Sequence, residues 1–490
     1  MATSDPQNVN PPAPAMKPWR ALISRPAQTI LWVALFMVLP LFIPALANRL
    51  ATKDQTYREM IPNPRDLISF NGSAKGPGAG DVTGGQDPGQ SGGPDTPVQN
   101  QTDKDIEDPS GSLAPFYAAL AKSEAKQPGA ITRITHYGDS PITNDVITGT
   151  VRHQLQIAYG DSGHGFILID PPWDSYVHQG INFTSNKWDN ENLMAPKNAH
   201  GLFGLGGASF RADGPGKFAK YGPAEDGDTG KDLAHIDVYF SRQTAGGDFG
   251  VSVNGGEPQT VNTAGNEGEP GFAEIKAPGA GPNTFEIRSL TGSIRLFGAV
   301  LENDNPGVVY DSLGVIGAYA GLLATTMNEA HWTSQLQHRK PNLVIINYGT
   351  NESQYASDEQ MAIYDRDLRE VIRRIRTAVP DSAILILSPM DRGKRQGGQI
   401  ITHPAIPKIV AMQRQVALSS NCAFMNMFQA MGGEGTMARW YASKLVGGDL
   451  IHTTGKGGAI VGDLIYQALA NGYQRYKQLH PAALAPSPKQ

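Results

Sequence analysis

The sequence predicts an α/β fold built on a doubly wound parallel sheet and interrupted by an all-β segment. Three observations lead there. Short, wholly apolar runs such as Leu343–Tyr348 and Ala383–Leu387 have the character of strands buried on both faces. A long amphipathic helix, Ser357–Val379, separates those two runs, and strand–helix alternation implies a parallel sheet. The stretch 161–304 has a different grammar: it is rich in Gly, Asn and Pro, and short strand-like pieces recur between turn residues.

The elements follow in order. Residues 29–47 form an uncharged apolar span, long enough to cross a bilayer and preceded by Lys17, Arg20 and Arg25. It reads as a signal anchor, or as a signal peptide cut after Ala45-Leu46-Ala47; a buried core helix is the third alternative. Its length favours the anchor, and Pro40 and Pro44 favour the cut peptide. Residues 1–28 are then a cytoplasmic or n-region. Residues 48–112 are a linker whose Gly, Pro, Ser and Asp content cannot offset the entropy of chain ordering. Order is expected to resume with a helix over Leu113–Lys126, capped by Ser112, followed by a strand over Ala130–Tyr137 that ends in Gly138-Asp139-Ser140. Within 161–304 the pieces at 235–242, 249–255, 284–290 and 293–302 predict a β-sandwich or jelly roll. The α/β pattern returns at 305–478, where Ser357 caps the long helix, Pro380 closes it, and Lys456–Tyr473 forms a closing helix. A tail, 479–490, ends the chain. The α/β body is thus expected in two parts, 113–160 and 305–478, with a β domain inserted after its first unit.

The 490 residues are 40% apolar and 18% charged, ample for a large core. A net charge of −5 gives no broad cationic field for nucleic acid. Cys422 is the single cysteine, so no intramolecular disulfide is possible, and its apolar surroundings mark it as a small buried hydrophobe. No Cys/His cluster has structural-zinc spacing, and nothing calls for a metal or cofactor.

Four short segments carry candidate chemistry: Gly138-Asp139-Ser140, Gly314–Gly317, Gly349-Thr350-Asn351-Glu352 and Asp449-Leu450-Ile451-His452. Three follow expected strands directly, and residues at strand C-termini converge on the crevice of an open α/β sheet. A serine at a strand-to-helix turn presents its hydroxyl above the sheet, where backbone N–H groups can face a developing oxyanion. Asp449 and His452 are three apart, so one carboxylate can hold one imidazole nitrogen while the other nitrogen serves a serine as base and then acid. The Asn351 amide could donate to an oxyanion, as could a backbone N–H at Gly317 or, second in rank, Gly314. Taken singly, each segment is also an ordinary polar turn, Asx-turn or helix start.

Together and in this order, HYGDS, SLGVIGA, NYGTNES and DLIH resemble the four blocks of the SGNH, or GDSL-type, hydrolase superfamily. The resemblance spans about 113–160 and 305–475. It implies a three-layer αβα domain, Ser140 as nucleophile, His452 and Asp449 as its partners, and an oxyanion hole formed by the Ser140 N–H, the Gly317 N–H and the Asn351 side chain. GTNE in the third block and a β insert between the first and second blocks resemble bacterial envelope enzymes acting on O-acetylated glycans. The resemblance thus implies an exported esterase of acylated peptidoglycan or another envelope polysaccharide, acting through an acyl-serine, held to the membrane through 29–47 if that span is uncleaved and secreted otherwise. The insert is a candidate carbohydrate-binding module. A glycan O-acetyltransferase with the same residues is the alternative, and a non-catalytic glycan-binding protein is a third. One residue departs from the pattern: Pro141 follows the nucleophile where His or Leu is usual, and it removes a backbone N–H beside Ser140.

Other residues have less specific readings. His153, His164 and His178 lack ligand spacing. Trp173, Tyr176, Phe183 and Trp188 are either a sugar-stacking platform or, more in keeping with aromatics generally, packed structure. Glu352 either touches substrate or supports Asn351. Arg369, Arg373, Arg374 and Arg376 read as a solvated helix face.

Overall fold

The computed structural model describes residues 105–481. The spans assigned to 1–28, 29–47 and most of 48–112, and the tail beyond 481, lie outside the described residues. Among the described residues no helix is long and apolar enough to cross a membrane.

The organising sheet has six strands in the order Ile106–Glu107, Ala423–Met425, Ala383–Leu387, Leu343–Asn347, Ile131–Gly138, Gly307–Gly314. The first is an antiparallel edge and the other five are parallel. In chain order the parallel strands run 2-1-3-4-5. The chain therefore steps to one side after Ile131–Gly138 and to the other side after Gly307–Gly314, which opens a crevice at the carboxyl ends of the first strands. The edge pair Ile106–Glu107 brings the chain into the sheet ahead of the expected start at Leu113. Two residues in an acidic run give no periodicity to read.

The apolar runs behave as their composition requires. In Leu343–Asn347, Leu343 and Ile345 join a core shared with the helices Ala114–Glu124, Val146–Tyr159 and Gly455–Leu479. Val344 and Ile346 point to the opposite face, against Glu329–Arg339, Asp358–Ala378 and Ala405–Ser419. A strand covered on both faces can carry apolar residues at every position. Ser357 does cap its helix, accepting from the Gln360 N–H. Ser112 does not cap the first: the Asp108 carboxylate accepts the N–H groups of Ser112 and Leu113 at 2.7 and 2.8 Å, and Pro115 occupies the first turn.

Between the first two parallel strands, the chain builds two antiparallel sheets. One has the order 259–262, 248–253, 285–291, 218–223, 181–185. The other has 270–276, 235–241, 293–302, 208–213, 189–192, with 163–167 also paired to 293–302. Their inner faces meet, as in the edge-on contact of Phe240 with Phe249 at 5.4 Å. The same apolar core continues through Phe166, Tyr239 and Phe297 to Leu313, Trp332 and Val344 of the α/β part. Trp173, Tyr176, Phe183 and Trp188 are spent on packing here. Phe183 stacks on Tyr221 at 5.1 Å, the Tyr176 hydroxyl accepts the Leu168 N–H, and the Trp188 indole donates to Phe218 O.

A buried ionic cluster ties these parts together. The Arg339 guanidinium donates to both oxygens of Asp311 at 2.8 Å and also to Glu302. Arg133 and Thr135, on the neighbouring strand, donate to Glu302 and Asp311. Opposite charges and filled lone pairs hold the Glu302 carboxyl down to about 2 in spite of its burial.

Candidate active site

Ser140 is the second residue past the strand Ile131–Gly138, after Asp139. A single 3-10 turn, Ser140–Ile142, lifts it above the sheet edge. Pro141 takes the second position of that turn, where a backbone N–H has no partner within the helix, so the substitution costs no internal hydrogen bond. Pro141 is buried among Ile147, Met390, Met427 and Val461, below the cleft, and leaves the Ser140 N–H in place.

The Asp449–His452 loop reaches the same point from the far end of the chain. His452 Nε2 lies 2.7 Å from Ser140 Oγ, and His452 Nδ1 lies 2.7 Å from Asp449 Oδ2. The N–H groups of Ile451 and His452 donate to Asp449 Oδ1. Burial pushes the Asp449 carboxyl up, but these three donors outweigh it and hold the group below its ordinary range. A carboxylate only accepts, so Nδ1 carries the imidazole proton and Nε2 is left to accept from the serine hydroxyl.

The loop is held under local strain. Leu450 is a buried non-glycine residue at φ +60°. Its carbonyl accepts the Gly393 N–H at 2.9 Å, and a Cβ on Gly393 would meet the Leu450 Cβ at 2.7 Å. Gly393 opens a hairpin, 393–396 with 399–402, that motif reasoning did not single out. Arg392, just before it, lines the Ser140 cleft. Its guanidinium donates to Thr350 O at 3.1 Å and to Ser353 Oγ at 2.7 Å. The signal available was an Asp-Arg-Gly step separated by three residues from the end of an apolar strand.

Gly317 and Asn351 line a cleft of about 430 Å³ with Ser140 and His452. Gly317 is there, at φ +76°, and a Cβ on it would meet Met194 Cε at 3.2 Å. Gly314 is not among the lining residues. It ends its strand packed against Ile142 and Thr143, where a Cβ would meet Ile142 Cγ1 at 2.7 Å. Asn351 lines the cleft and its amide donates to Ala318 O at 2.8 Å. Glu352 joins the two loops: one of its oxygens accepts the Ala320 N–H at 3.0 Å and the other the Gly349 N–H at 2.9 Å. Burial pushes the Glu352 carboxyl up to about 7, against the pull of those donors. Asp139, buried beneath Ser140, is held well above the carboxylate range by burial and by Glu352.

Of the scattered histidines, His164 and His178 meet edge-on at 5.5 Å and His153 stands apart from them. His153 faces Asp228, His164 bonds to Gly230 O, and burial holds His164 and His178 far below the ordinary imidazole value. Among the described residues no group of three His, Cys, Asp or Glu could hold a metal ion. Arg369, Arg373 and Arg374 pair with Asp365, Glu370 and Glu329, and Arg376 donates to the carbonyls of Ser420 and Asn421. Cys422 is buried and its thiol is pushed up to about 11.

Residues 279–460 match the model of the GDSL-like Lipase/Acylhydrolase family. The chain is similar in fold to a solved peptidoglycan O-acetylesterase, with a TM-score of 0.64 and 22% identity over 76% of this chain and 99% of that one. A lipase/acylhydrolase from Enterococcus faecalis aligns more loosely, with a TM-score of 0.25 and 16% identity over 34% of this chain and 77% of that one. No curated protein sequence matches the chain.

Proposed function

As an SGNH-type, GDSL-like serine hydrolase, this chain, we propose, removes O-acetyl or other short acyl groups from cell-envelope glycans through an acyl-serine intermediate. The observation that carries the reading is the relay from Asp449 through His452 to Ser140 Oγ, at 2.7 Å on each step, beside a cleft lined by Gly317 and Asn351.

In this reading His452 takes the Ser140 proton as Oγ attacks the acyl carbonyl. The negative charge that moves onto the carbonyl oxygen is met by the N–H groups of Ser140 and Gly317 and by the Asn351 amide. His452 returns the proton to the leaving sugar hydroxyl, and the acyl group stays on Ser140. Water, deprotonated by His452, then releases it as the free acid. No cofactor enters the cycle. The two-sheet segment 161–304 is an inserted sandwich that helps hold the polymer. The apolar span 29–47 places the body outside the cytoplasm, anchored at the membrane or released from it.

The test is hydrolysis of a small aryl acetate by the full-length protein. Ser140→Ala and His452→Ala are each expected to lose more than about a hundredfold in kcat/KM. Full activity in either variant overturns the assignment. Adding a chito-oligosaccharide acceptor in the same assay separates the two acyl fates, and acetylated sugar formed faster than free acetate would replace hydrolysis by transfer.

A further inference from the structure

Folding accounts poorly for where this molecule leaves its large apolar side chains in water. Nine are exposed among the described residues, and four of them, Met194, Ile316, Tyr319 and Tyr355, line the Ser140 cleft or the one adjoining it. Single exposed apolar residues need no explanation, but a cluster at the mouth of a site does. Tyr355 is the extreme case at 73% exposed, and Tyr319 stands at 42%.

The adjoining cleft has a volume of about 630 Å³ and shares Gly317, Asn351 and Gln354 with the Ser140 cleft, so the two form one continuous groove. That is far more room than an acetyl group requires, and it lies in the range that holds an extended ligand. Both tyrosines ride on the loops that carry the oxyanion candidates. Tyr319 is two residues past Gly317, and Tyr355 ends the 3-10 turn Glu352–Tyr355 that follows Asn351. A ring stacked on either is thereby placed at a fixed offset from Ser140.

We infer that this groove is a glycan subsite, in which Tyr319 and Tyr355 stack on hexosamine rings flanking the acylated sugar. The inference rests on the esterase reading for the position of the acyl group, and on the groove itself for the ligand. The lining chemistry selects a sugar over a long acyl chain. Among the apolar residues of the lining, Gln354, Gln360, Thr325 and the Arg366–Asp367 pair add amide, hydroxyl, guanidinium and carboxylate groups. Sugar hydroxyls and N-acetyl groups can satisfy them, whereas an alkyl chain would strip their water and return no hydrogen bond. A tyrosine offers an apolar face to the C–H side of a pyranose and keeps its hydroxyl in water.

Binding is measured by calorimetry on the full-length Ser140→Ala protein with an unacetylated chito-oligosaccharide, which needs no turnover. The expected result is saturable binding that weakens about tenfold on adding Tyr355→Ala or Tyr319→Ala and returns with Tyr355→Trp. No binding, or binding changed less than twofold by both alanine variants, overturns the inference. Turnover gives a second reading on the otherwise wild-type protein. Tyr355→Ala should raise KM for an O-acetylated chito-oligosaccharide, and its loss in kcat/KM there should exceed its loss on aryl acetate at least tenfold. If the greater loss falls instead on an octanoyl ester, the groove holds an acyl chain and the inference fails. If the wild-type protein does not hydrolyse aryl acetate, the esterase reading fails by itself, and the calorimetry still decides the subsite.

Discussion

Replacing Asp449 by Asn is expected to damage this enzyme more than replacing it by Ala. The reason lies in how the carboxylate is held. Its Oδ1 already accepts two fixed backbone donors, the N–H groups of Ile451 and His452 at 3.0 and 3.1 Å. An asparagine must keep its carbonyl oxygen there, because its amide nitrogen would face two other donors. The amide N–H is then turned onto His452 Nδ1, the imidazole proton is driven to Nε2, and Nε2 can no longer accept the proton of Ser140. Reversing that tautomer leaves donor against donor, a cost of about 1–3 kcal/mol. The variant also loses the negative charge facing the imidazolium that forms during attack. For centres about 4 Å apart, that is worth about 1–4 kcal/mol as the effective dielectric falls from 80 to 20. His452 and Asp449 are 46% and 50% exposed, so the lower half of that range applies. Together they give about 2–5.5 kcal/mol, a loss of about 30-fold to 10⁴ in kcat. Alanine forfeits the charge but lets water accept from Nδ1, so its loss should be at least tenfold smaller. Steady-state hydrolysis of an aryl acetate by the two variants decides the matter. An asparagine variant within tenfold of wild type, or an alanine variant worse than it, would refute the reasoning.

Three further outcomes are expected. Gly317→Ala places a Cβ in the left-handed region and 3.2 Å from Met194 Cε, which tilts the N–H offered to the cleft; kcat should fall about tenfold to a hundredfold while the melting temperature barely moves. An unchanged kcat would remove Gly317 from the oxyanion hole. Arg339→Met leaves the buried carboxylates of Asp311 and Glu302 short of their main partner and should cost about 3–5 kcal/mol in urea unfolding; a loss under about 1 kcal/mol would contradict the cluster's role. Glu352→Gln tests the raised carboxyl. Its folded value near 7 lies above the ordinary 4.5, so the folded state holds the proton more tightly, and the resulting stability is fully present below pH 4.5 and lost as pH rises through 7. Relative to the glutamine variant, wild type should lose about 2 kcal/mol between pH 4.5 and 8, discounted from the full linkage value because the side chain reaches the cleft; parallel stability curves would refute the shift.

Most of the α/β body was legible because its determinants are local. Leu343–Asn347 and Ala383–Leu387 are apolar at every position, and Ser357 with Pro380 brackets a strongly periodic helix. The candidate site was legible through order: Ser140, Gly317, Asn351 and the Asp449–His452 pair are all placed around one cleft, although 312 residues separate Ser140 from His452. What escaped reading depends on partners distant in sequence. Asp108 accepts the N–H groups of Ser112 and Leu113 just ahead of the first helix, which no propensity for serine could reveal. Packing is the favoured reading of Trp173 and Tyr176, but a sugar platform stays open until their partners Phe183 and Tyr221 are known. The Gly393 hairpin matters only because Leu450, far along the chain, needs a neighbour without a Cβ.

The strand Gly307–Gly314 explains why the two-sheet segment and the site behave as one body. Its outer neighbour in sequence is 293–302, the last strand of that segment, whose end carries Glu302. Its own centre carries Asp311, and Arg339, at the end of the helix Glu329–Arg339, clamps Asp311 and Glu302 together. Its inner edge is in register with Ile131–Gly138, residue against residue, up to the pairing of Gly314 with Gly138. From those two glycines the chain enters the Gly317 loop on one side and the Ser140 turn on the other. A side-chain period of two means that a one-residue slip of this strand would exchange the side chains packed on its two faces. It would also pull Asp311 from Arg339 and break the ionic cluster. The segment's return point is therefore fixed to the register of the strand that presents Gly317. A glycan held against that segment and an acyl carbonyl at Ser140 would be positioned by the same rigid element.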